Sequence, residues 1–240
     1  MSRHSHRAPT ERSSSTRDRV LDAAGEVFGR RGYRAATVRE ICRLAGASVA
    51  AVNYYFRDKE GLYLTVMKEL LRSGLERYPP DAGLGPRPTP EERLRAFIRA
   101  TLFRLLGKQG WYGAAGKGQL LAREITDPSP SMDTLVEQYL RPQKDLLISI
   151  VGKMCGAGVP AEHVERCALS IMGQCLHHAY ASPIISRLGL SQGSDPGSIE
   201  RLAEHIVLFS LGGVERVRKA AVAAISTAGH GGTSGSGGKA

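Results

Sequence analysis

Asn53, Tyr54, Tyr55 and Lys59 bring an amide, two phenolic hydroxyls and an ammonium group into one short stretch of the chain. A side-chain amide can hydrogen-bond the edge of a base, commonly adenine. Hydroxyl and ammonium groups donate to phosphate oxygens, and Lys59 lies near a predicted helix N-terminus, which itself attracts anions. Together these groups offer the chemistry of nucleic-acid binding.

Two short helices joined by a tight turn are predicted to position these side chains. Thr37 and Glu40 have the spacing of a capping box, so a helix begins there. Gly46 supplies the turn, and Ser48 can cap a second helix. Such a helix-turn-helix packs its first member on the protein and offers its second to a major groove. Three apolar side chains of the pair are expected to face inward: Ile41, Leu44 and Val52.

The second helix begins with small side chains, so its backbone can approach bases closely; these are Val49, Ala50 and Ala51. The alternative is a plain α-hairpin in which the aromatic residues 54–56 belong to the core. Phe56 is expected in the core under either interpretation.

Apolar residues recur at spacings of three and four along the chain, and β-branched alternation is nearly absent. This periodicity predicts an all-α protein of nine or ten helices. A Pro/Gly-rich connection at 76–89 separates an N-terminal domain, 15–75, from a larger helical domain, 90–225. The flanking segments 1–14 and 226–240 have low complexity and are expected to be disordered tails.

The chain carries a formal net charge of +10 and a pI near 9.7, which favours a polyanionic partner such as DNA. It contains no run of eighteen apolar residues, so no membrane span is predicted. The N-terminal stretch is basic and polar and lacks the apolar centre of a secretory signal, so we expect a cytoplasmic protein. The four cysteines contain no CxxC pair and are expected to be reduced and buried.

Over about residues 16–63 the sequence resembles the TetR family of transcriptional regulators. It carries three motifs of that family in order, F-x-x-x-G, T-x-x-x-I-A-x-x-A-G-V-S and Y-x-Y-F-x-x-K-x-x-L, at residues 28–32, 37–48 and 53–62. Two departures from the pattern matter. Cys42 replaces the usual alanine, and Asn53 stands where many members have tyrosine, a change that shifts base preference.

The resemblance implies a fold and a set of DNA contacts. The fold is an N-terminal three-helix helix-turn-helix DNA-binding domain plus a larger helical ligand-binding and dimerisation domain. By position, the base contacts fall on Arg39, Val49, Ala50 and Asn53, and the phosphate contacts on Thr37, Tyr54, Tyr55 and Lys59. The implied protein is a homodimer, by default a repressor, that binds a pseudo-palindromic double-stranded operator and releases it when an unidentified small molecule binds.

The C-terminal half is similar to the CecR-type domain of this family, over a stretch that begins at residue 123. Regulators of this kind need a mainly apolar cavity with a few polar groups to orient a ligand. The apolar or amphipathic candidates are Phe97, Thr101, Phe103, Trp111, Leu121, Met132, Val136, Tyr139 and Met154. The polar candidates are Arg123, Glu124, Gln174 and His178.

The last two long helices, predicted at about 161–181 and 196–224, carry more apolar surface than one subunit needs. Paired with the same helices of a second subunit, they would form a four-helix bundle with a closed two-fold interface. The residues expected there are Val164, Leu169, Ile171, Met172, Leu202, Ile206, Phe209 and Val214.

Two other classes of function remain open. His163 with Cys167 and Cys175 with His178 have spacings that share a helical face, so a metal- or thiol-sensing regulator is an alternative. The same residues are equally explained by helix packing, and we predict no metal and no cofactor. An enzyme is the formal alternative class, but the sequence shows no nucleophile elbow, no zinc-protease pattern and no paired carboxylates in an identifiable cleft.

Overall fold

The computed structural model describes residues 15–111, 118–190 and 193–230, and within these ranges the regular elements are helices, with no strand. The all-α prediction is confirmed. The chain divides into two compact units between Val66 and Met67. This division falls within the helix Lys59–Arg77.

The N-terminal unit contains three helices and the first turns of a fourth: α1 Thr16–Ala35, α2 Val38–Ala45, α3 Val49–Phe56 and α4 Lys59–Arg77. Ser15 begins α1 by accepting a hydrogen bond from the Asp18 N–H. The ring of Phe28 on α1 meets Tyr63 of α4 edge-on, with ring centroids 4.9 Å apart. Apolar residues of α1 spaced three or four apart are buried around this contact: Val20, Leu21, Ala24, Val27 and Phe28.

The C-terminal unit contains, in the described part of the chain, α5 Pro90–Leu106, α6 Gly118–Thr126, α7 Met132–Leu135, a π-helical turn Val136–Leu140, α8 Arg141–Cys155, α9 Ala161–Tyr180, α10 Ser182–Arg187 and α11 Pro196–His230. Helices α5, α8, α9 and α11 pack against one another around the core. Ion pairs join the exposed side of α5 to α11, one between Arg95 and Glu204 and one between Arg99 and Glu200.

Two helices of this unit begin at side-chain caps. Thr89 and Glu92 form a complete capping box at the start of α5. Asp195 precedes α11 and accepts a hydrogen bond from the Ser198 N–H at 3.1 Å. The end of α11 was predicted wrongly, because the helix continues to His230 through residues assigned to the C-terminal tail. Residues 1–14 and 231–240 lie outside the described residues.

None of the helices in the described ranges is long and apolar enough to cross a membrane.

Candidate nucleic-acid interface and the C-terminal unit

Helix α3 buries a narrow strip of its surface in the N-terminal unit and exposes the rest to solvent. Val52 and Phe56, four residues apart, are its buried residues, as helical periodicity requires. Val49, Ala50 and Asn53 are exposed, and Tyr54 is 82% exposed. The helix therefore displays small side chains, an amide and a phenol on one free surface.

The turn between α2 and α3 has the geometry expected from its residues. Gly46 adopts a left-handed conformation, φ 60° and ψ 41°, that closes α2 and favours glycine. Thr37 accepts from the Glu40 N–H at 3.2 Å, and Ser48 accepts from the Ala51 N–H at 3.3 Å. The Glu40 carboxylate lies 2.9 Å from Nε of Arg31 and so ties α2 to α1.

A second sharp turn connects α3 to α4. Arg57 is the one described non-glycine residue with a positive φ, 72°. Asp58 accepts from the Gly61 N–H at 2.8 Å and so begins α4. A Cβ atom at Gly61 would lie 2.1 Å from the carbonyl oxygen of Phe56. Glycine is required here because the two backbone segments approach too closely for any side chain.

Lys59 is held by the protein itself. Its Nζ donates to the carbonyl oxygen of Arg34, near the end of α1, at 3.1 Å and lies 4.6 Å from the centroid of the Tyr33 ring. Burial lowers the pKa of Lys59. Lys59 therefore has a structural role that the sequence did not indicate, in addition to the phosphate contact predicted for it.

The eight residues predicted to contact DNA all lie at the surface of the N-terminal unit, with Lys59 partly buried. The α-hairpin alternative placed Tyr54 and Tyr55 in the core, whereas both are exposed and meet edge-on at 4.9 Å. The inward orientation predicted for Leu44 is wrong, since this side chain is 43% exposed. Ala45 takes the buried position in the last turn of α2.

The residues predicted for a dimer interface fall into two groups. Met172 packs at the edge of the C-terminal core. Five others are buried within that core: Val164, Ile171, Leu202, Ile206 and Val214. Packing within one chain therefore explains why these six residues are apolar. Leu169 on α9 and Phe209 on α11 are different, because they are 69% and 65% exposed. The neighbouring Leu208, which the sequence did not single out, is also exposed.

A groove of about 310 Å³ lies between α9 and α11, and we call it the α9–α11 groove. The α9 side contributes His163, Arg166, Cys167, Ser170, Ile171 and Gln174, and the α11 side contributes Phe209, Ser210, Gly213, Val214 and Val217. Gln174 donates to the Ser210 hydroxyl at 3.4 Å across it. Of the thirteen residues predicted for a ligand pocket, Gln174 is the one that lines this groove.

The other predicted pocket residues are spread over the C-terminal unit. Phe97 and Phe103 belong to its core, and Met154 packs against that core. Glu124 is buried and accepts from the Ser129 N–H and hydroxyl, whereas Arg123 is exposed. The rest of this group is partly buried: Leu121, Met132, Val136, Tyr139 and His178. Core packing therefore accounts for Phe97 and Phe103 without a ligand.

Thr101 and Trp111 do converge, on a residue that the sequence analysis missed. Arg104 is 2% exposed. It donates from Nη2 to the Thr101 hydroxyl at 2.9 Å and from Nη1 to Gln143 Oε1 at 3.2 Å. Its guanidinium carbon lies 5.8 Å from the centroid of the Trp111 ring, and its Nε has no hydrogen-bond partner.

Burial lowers the pKa of the Arg104 guanidinium to about 10, and no carboxylate among the described residues opposes this effect. Arg104 lies in the last turn of α5, where the helix dipole stabilises a cation by at most about 2 kcal/mol. The effective penalty for burying an unpaired ion is several kcal/mol. The helix end therefore does not offset the cost of this buried charge.

Among the described residues, no group of three or more His, Cys, Asp or Glu side chains could hold a metal ion. The four cysteines are buried and free. Burial raises the pKa of the Cys175 thiol to about 12. The pKa of His178 is lowered by burial and by the neighbouring His177 and His205.

An exposed second helix in a helix-turn-helix, flanked by hydroxyl and cationic groups, defines a DNA-binding protein. Residues 20–66 match the family model described as bacterial regulatory proteins, tetR family. Residues 90–214, just over half of the chain, match the C-terminal domain of the HTH-type transcriptional dual regulator CecR. The chain belongs to the TetR family of transcriptional regulators and has a CecR-type C-terminal domain. The descriptions of the family and of its curated relatives indicate transcriptional regulators, not enzymes.

Two curated relatives illustrate the similarity. The chain is 39% identical over 85 residues to the regulator BetI of Rhizobium meliloti (strain 1021), covering 35% of this chain but only 41% of BetI. It is 27% identical over 177 residues to the dual regulator CecR of Shigella flexneri, covering 70% of this chain and 78% of CecR. The match to BetI is therefore local, and the match to CecR covers most of both chains.

Solved structures share the fold. A tetR-family regulatory protein from Rhodococcus RHA1 is 23% identical with a TM-score of 0.61, covering 84% of this chain and 98% of that one. AibR, solved in complex with isovaleryl coenzyme A and operator DNA, is 17% identical with a TM-score of 0.58, covering 80% and 96%.

Proposed function

We propose that this chain is a homodimeric repressor that binds a pseudo-palindromic operator and leaves it when a small-molecule effector binds the C-terminal unit. The observation that carries the proposal is the free surface of α3. This helix buries Val52 and Phe56, and its remaining side chains are small enough, or suitably polar, to meet the bases in a major groove.

The DNA contacts divide by chemistry. Arg39, Val49, Ala50 and Asn53 are proposed to meet bases, because the exposed arginine and amide can read base edges while the two small residues allow close approach. Four further residues are proposed to meet phosphates and set the position of the helix: Thr37, Tyr54, Tyr55 and Lys59. Lys59 contributes a positive charge from a position that its bond to Arg34 fixes.

The proposed dimer uses the exposed faces of α9 and α11. Leu169 and Phe209 place two large apolar side chains in solvent, and Phe209 lines the α9–α11 groove. Neighbouring exposed apolar side chains are typical of an interaction site. The same two helices of a second subunit would cover this surface and form a closed four-helix bundle with two-fold symmetry. The resulting dimer has two DNA-binding units, one for each half-site of the operator.

Effector control would work by a population shift. The dimer would exist in two forms, one whose DNA-binding units match the spacing of the half-sites and one whose units do not. An effector that binds the second form more tightly shifts the population toward it, by a free energy equal to the difference between its affinities for the two forms. The structural neighbour AibR was solved with both a coenzyme A thioester and operator DNA, which supports the same pairing of ligands here. By reciprocity, saturating operator DNA must weaken effector binding by the same factor.

Retardation of labelled genomic fragments in excess competitor DNA tests the proposal. We expect a small subset of fragments to be retained, with an affinity that falls steeply as salt rises. Tyr55→Phe should weaken retention of all fragments alike, because the lost hydroxyl would contact phosphate. Equal retention of every fragment at every salt concentration would contradict the proposed operator binding.

A further inference from the structure

Arg104 stands out among the arginines of α5. Arg95 and Arg99 lie toward solvent and pair with Glu204 and Glu200 on α11. Arg104 is buried in the C-terminal unit, where an unpaired charge is most costly, yet it has no carboxylate partner among the described residues. Arg95 and Arg99 are therefore paired with carboxylates, and the buried Arg104 is not.

The groups around the Arg104 guanidinium are neutral. Its hydrogen-bond acceptors are the Thr101 hydroxyl and the Gln143 amide oxygen. The Trp111 indole lies beside it, and the Cys175 thiol, whose pKa burial raises to about 12, remains protonated at neutral pH. These contacts fix the position of the guanidinium, but they leave its charge uncompensated and its Nε–H without an acceptor.

Trp111 is itself held in place. Its indole Nε1–H donates to the carbonyl oxygen of Leu70 at 3.0 Å. Gly74 makes room for the ring, because a Cβ atom there would lie 2.1 Å from the indole nitrogen. The aromatic side chain beside Arg104 is thus fixed by α4, and the guanidinium is held from two helices, by Thr101 on α5 and Gln143 on α8.

We propose that Arg104 binds an acidic group, a carboxylate or a phosphate, of the effector that controls this regulator. A guanidinium binds such groups in a bidentate manner through two neighbouring N–H donors. The Nε–H of Arg104, which has no acceptor in the protein, can be one of these two donors. The Trp111 ring beside the guanidinium is apolar over most of its surface, so we infer that the ligand carries an apolar body behind its acidic group. This inference rests on the proposed function, since it identifies the chemical class of the effector.

The test uses thermal shift and calorimetry on the full chain at constant ionic strength. The probes are straight-chain carboxylates of four to twelve carbons, the matching primary amides, and alkyl phosphates of the same lengths. We expect at least one anionic series to bind saturably, about tenfold or more tightly than its amides. The better series distinguishes a carboxylate ligand from a phosphate ligand.

Arg104→Met should abolish the preference for the anion, whereas Arg93→Met, which removes an equal charge from the first turns of the same helix, should leave it unchanged. Arg104→Met should also raise the melting temperature of the ligand-free protein, because a buried unpaired charge is removed. If Arg104→Met does not fold, Arg104→Lys is the second variant. It keeps the positive charge but loses the planar set of N–H donors, so it should reduce the affinity for the anion about tenfold.

The inference is overturned if no acid binds better than its amide, or if the Arg104 variants keep the preference. Operator binding is measured on the same samples. Intact operator binding with no anion preference would reject the role of Arg104 alone. Loss of selective DNA binding in the unmodified protein would instead reject the proposed function.

Discussion

At the residue scale, Lys59 is bound by the Arg34 carbonyl oxygen and the Tyr33 ring while lying beside the proposed DNA surface. Lys59→Ala removes a charged hydrogen bond and a cation–π contact, so we expect a loss of about 1–2 kcal/mol in the free energy of unfolding. Binding to all DNA sequences should weaken alike. Urea unfolding and DNA titrations measure the two effects.

Lys68→Ala is the matched control for Lys59, since it removes a lysine from the same helix. It should leave the free energy of unfolding within about 0.5 kcal/mol of the unmodified protein. If Lys59→Ala reduced DNA binding with no loss of stability, the contacts of Lys59 within the protein would have no energetic importance.

The thiols give a second prediction at this scale. Burial raises the pKa values of Cys42, Cys155, Cys167 and Cys175, so the fraction of reactive thiolate in the native state is small. Iodoacetamide at pH 8 should modify the native chain about 100-fold more slowly than the urea-unfolded chain. Rapid native modification of any one cysteine would revive the thiol-sensing alternative.

Individual residues also show where sequence reasoning fails. Asn53 and Tyr54 could be assigned to the surface because a helix-turn-helix fixes which face is free. Arg104 was missed because an arginine in the last turn of a helix is usually solvated. Its neighbours Leu102, Phe103, Leu105 and Leu106 are apolar on every side, and this was the one signal in the sequence that its position is buried.

At the element scale, the two turns of the DNA-binding unit differ in what they tolerate. Gly46 has a left-handed φ, but a Cβ atom there would meet nothing within 4 Å, whereas at Gly61 that atom would collide with the Phe56 carbonyl oxygen. Gly46→Ala should therefore cost about 1–2 kcal/mol, and Gly61→Ala about 3 kcal/mol or more. Thermal unfolding with circular dichroism measures both.

Gly46→Asn is the control for conformation, because asparagine tolerates left-handed backbone better than alanine. It should be less destabilising than Gly46→Ala. Similar stability losses for Gly46→Ala and Gly61→Ala would contradict the close approach described between α3 and α4.

Helix starts were predictable from the sequence and helix ends were less so. Thr37 and Ser48 each cap a helix as expected, because a capping hydroxyl three residues before a free N–H is a local pattern. The end of α11 was misplaced because residues 226–230 are compatible with either a helix or a tail. Their helical state depends on the long helix that precedes them, which extends more readily than a helix nucleates.

At the scale of the whole molecule, the dimer depends on side chains that one chain leaves exposed. Combining Leu169→Glu with Phe209→Glu should give folded monomers that bind operator weakly, because two charges would face their own copies across a two-fold interface. Sedimentation analysis and DNA titration measure the outcome. Leu188→Glu, at an equally exposed leucine beyond α10, is the control and should leave the dimer intact.

Leu202 cannot serve in this test, although the sequence placed it in the interface. It is buried in the core of the C-terminal unit, so a charge there would unfold the unit whether or not a dimer forms. The periodicity of α9 and α11 predicted that both are apolar, but it could not separate the face that packs within one chain from the face that remains free. Dimers that survive both glutamate substitutions would place the interface elsewhere.

The most direct test of the central claim is selection of binding sites from a random DNA library, with the unmodified protein and Asn53→Ala in parallel. We expect the unmodified protein to select an inverted repeat whose half-sites are about one helical turn apart. Asn53→Ala should lose discrimination at one base pair in each half-site, by roughly 1–3 kcal/mol. A selected sequence without two-fold symmetry, or an unchanged base preference in Asn53→Ala, would contradict the assignment of α3 as the base-reading helix of a dimer.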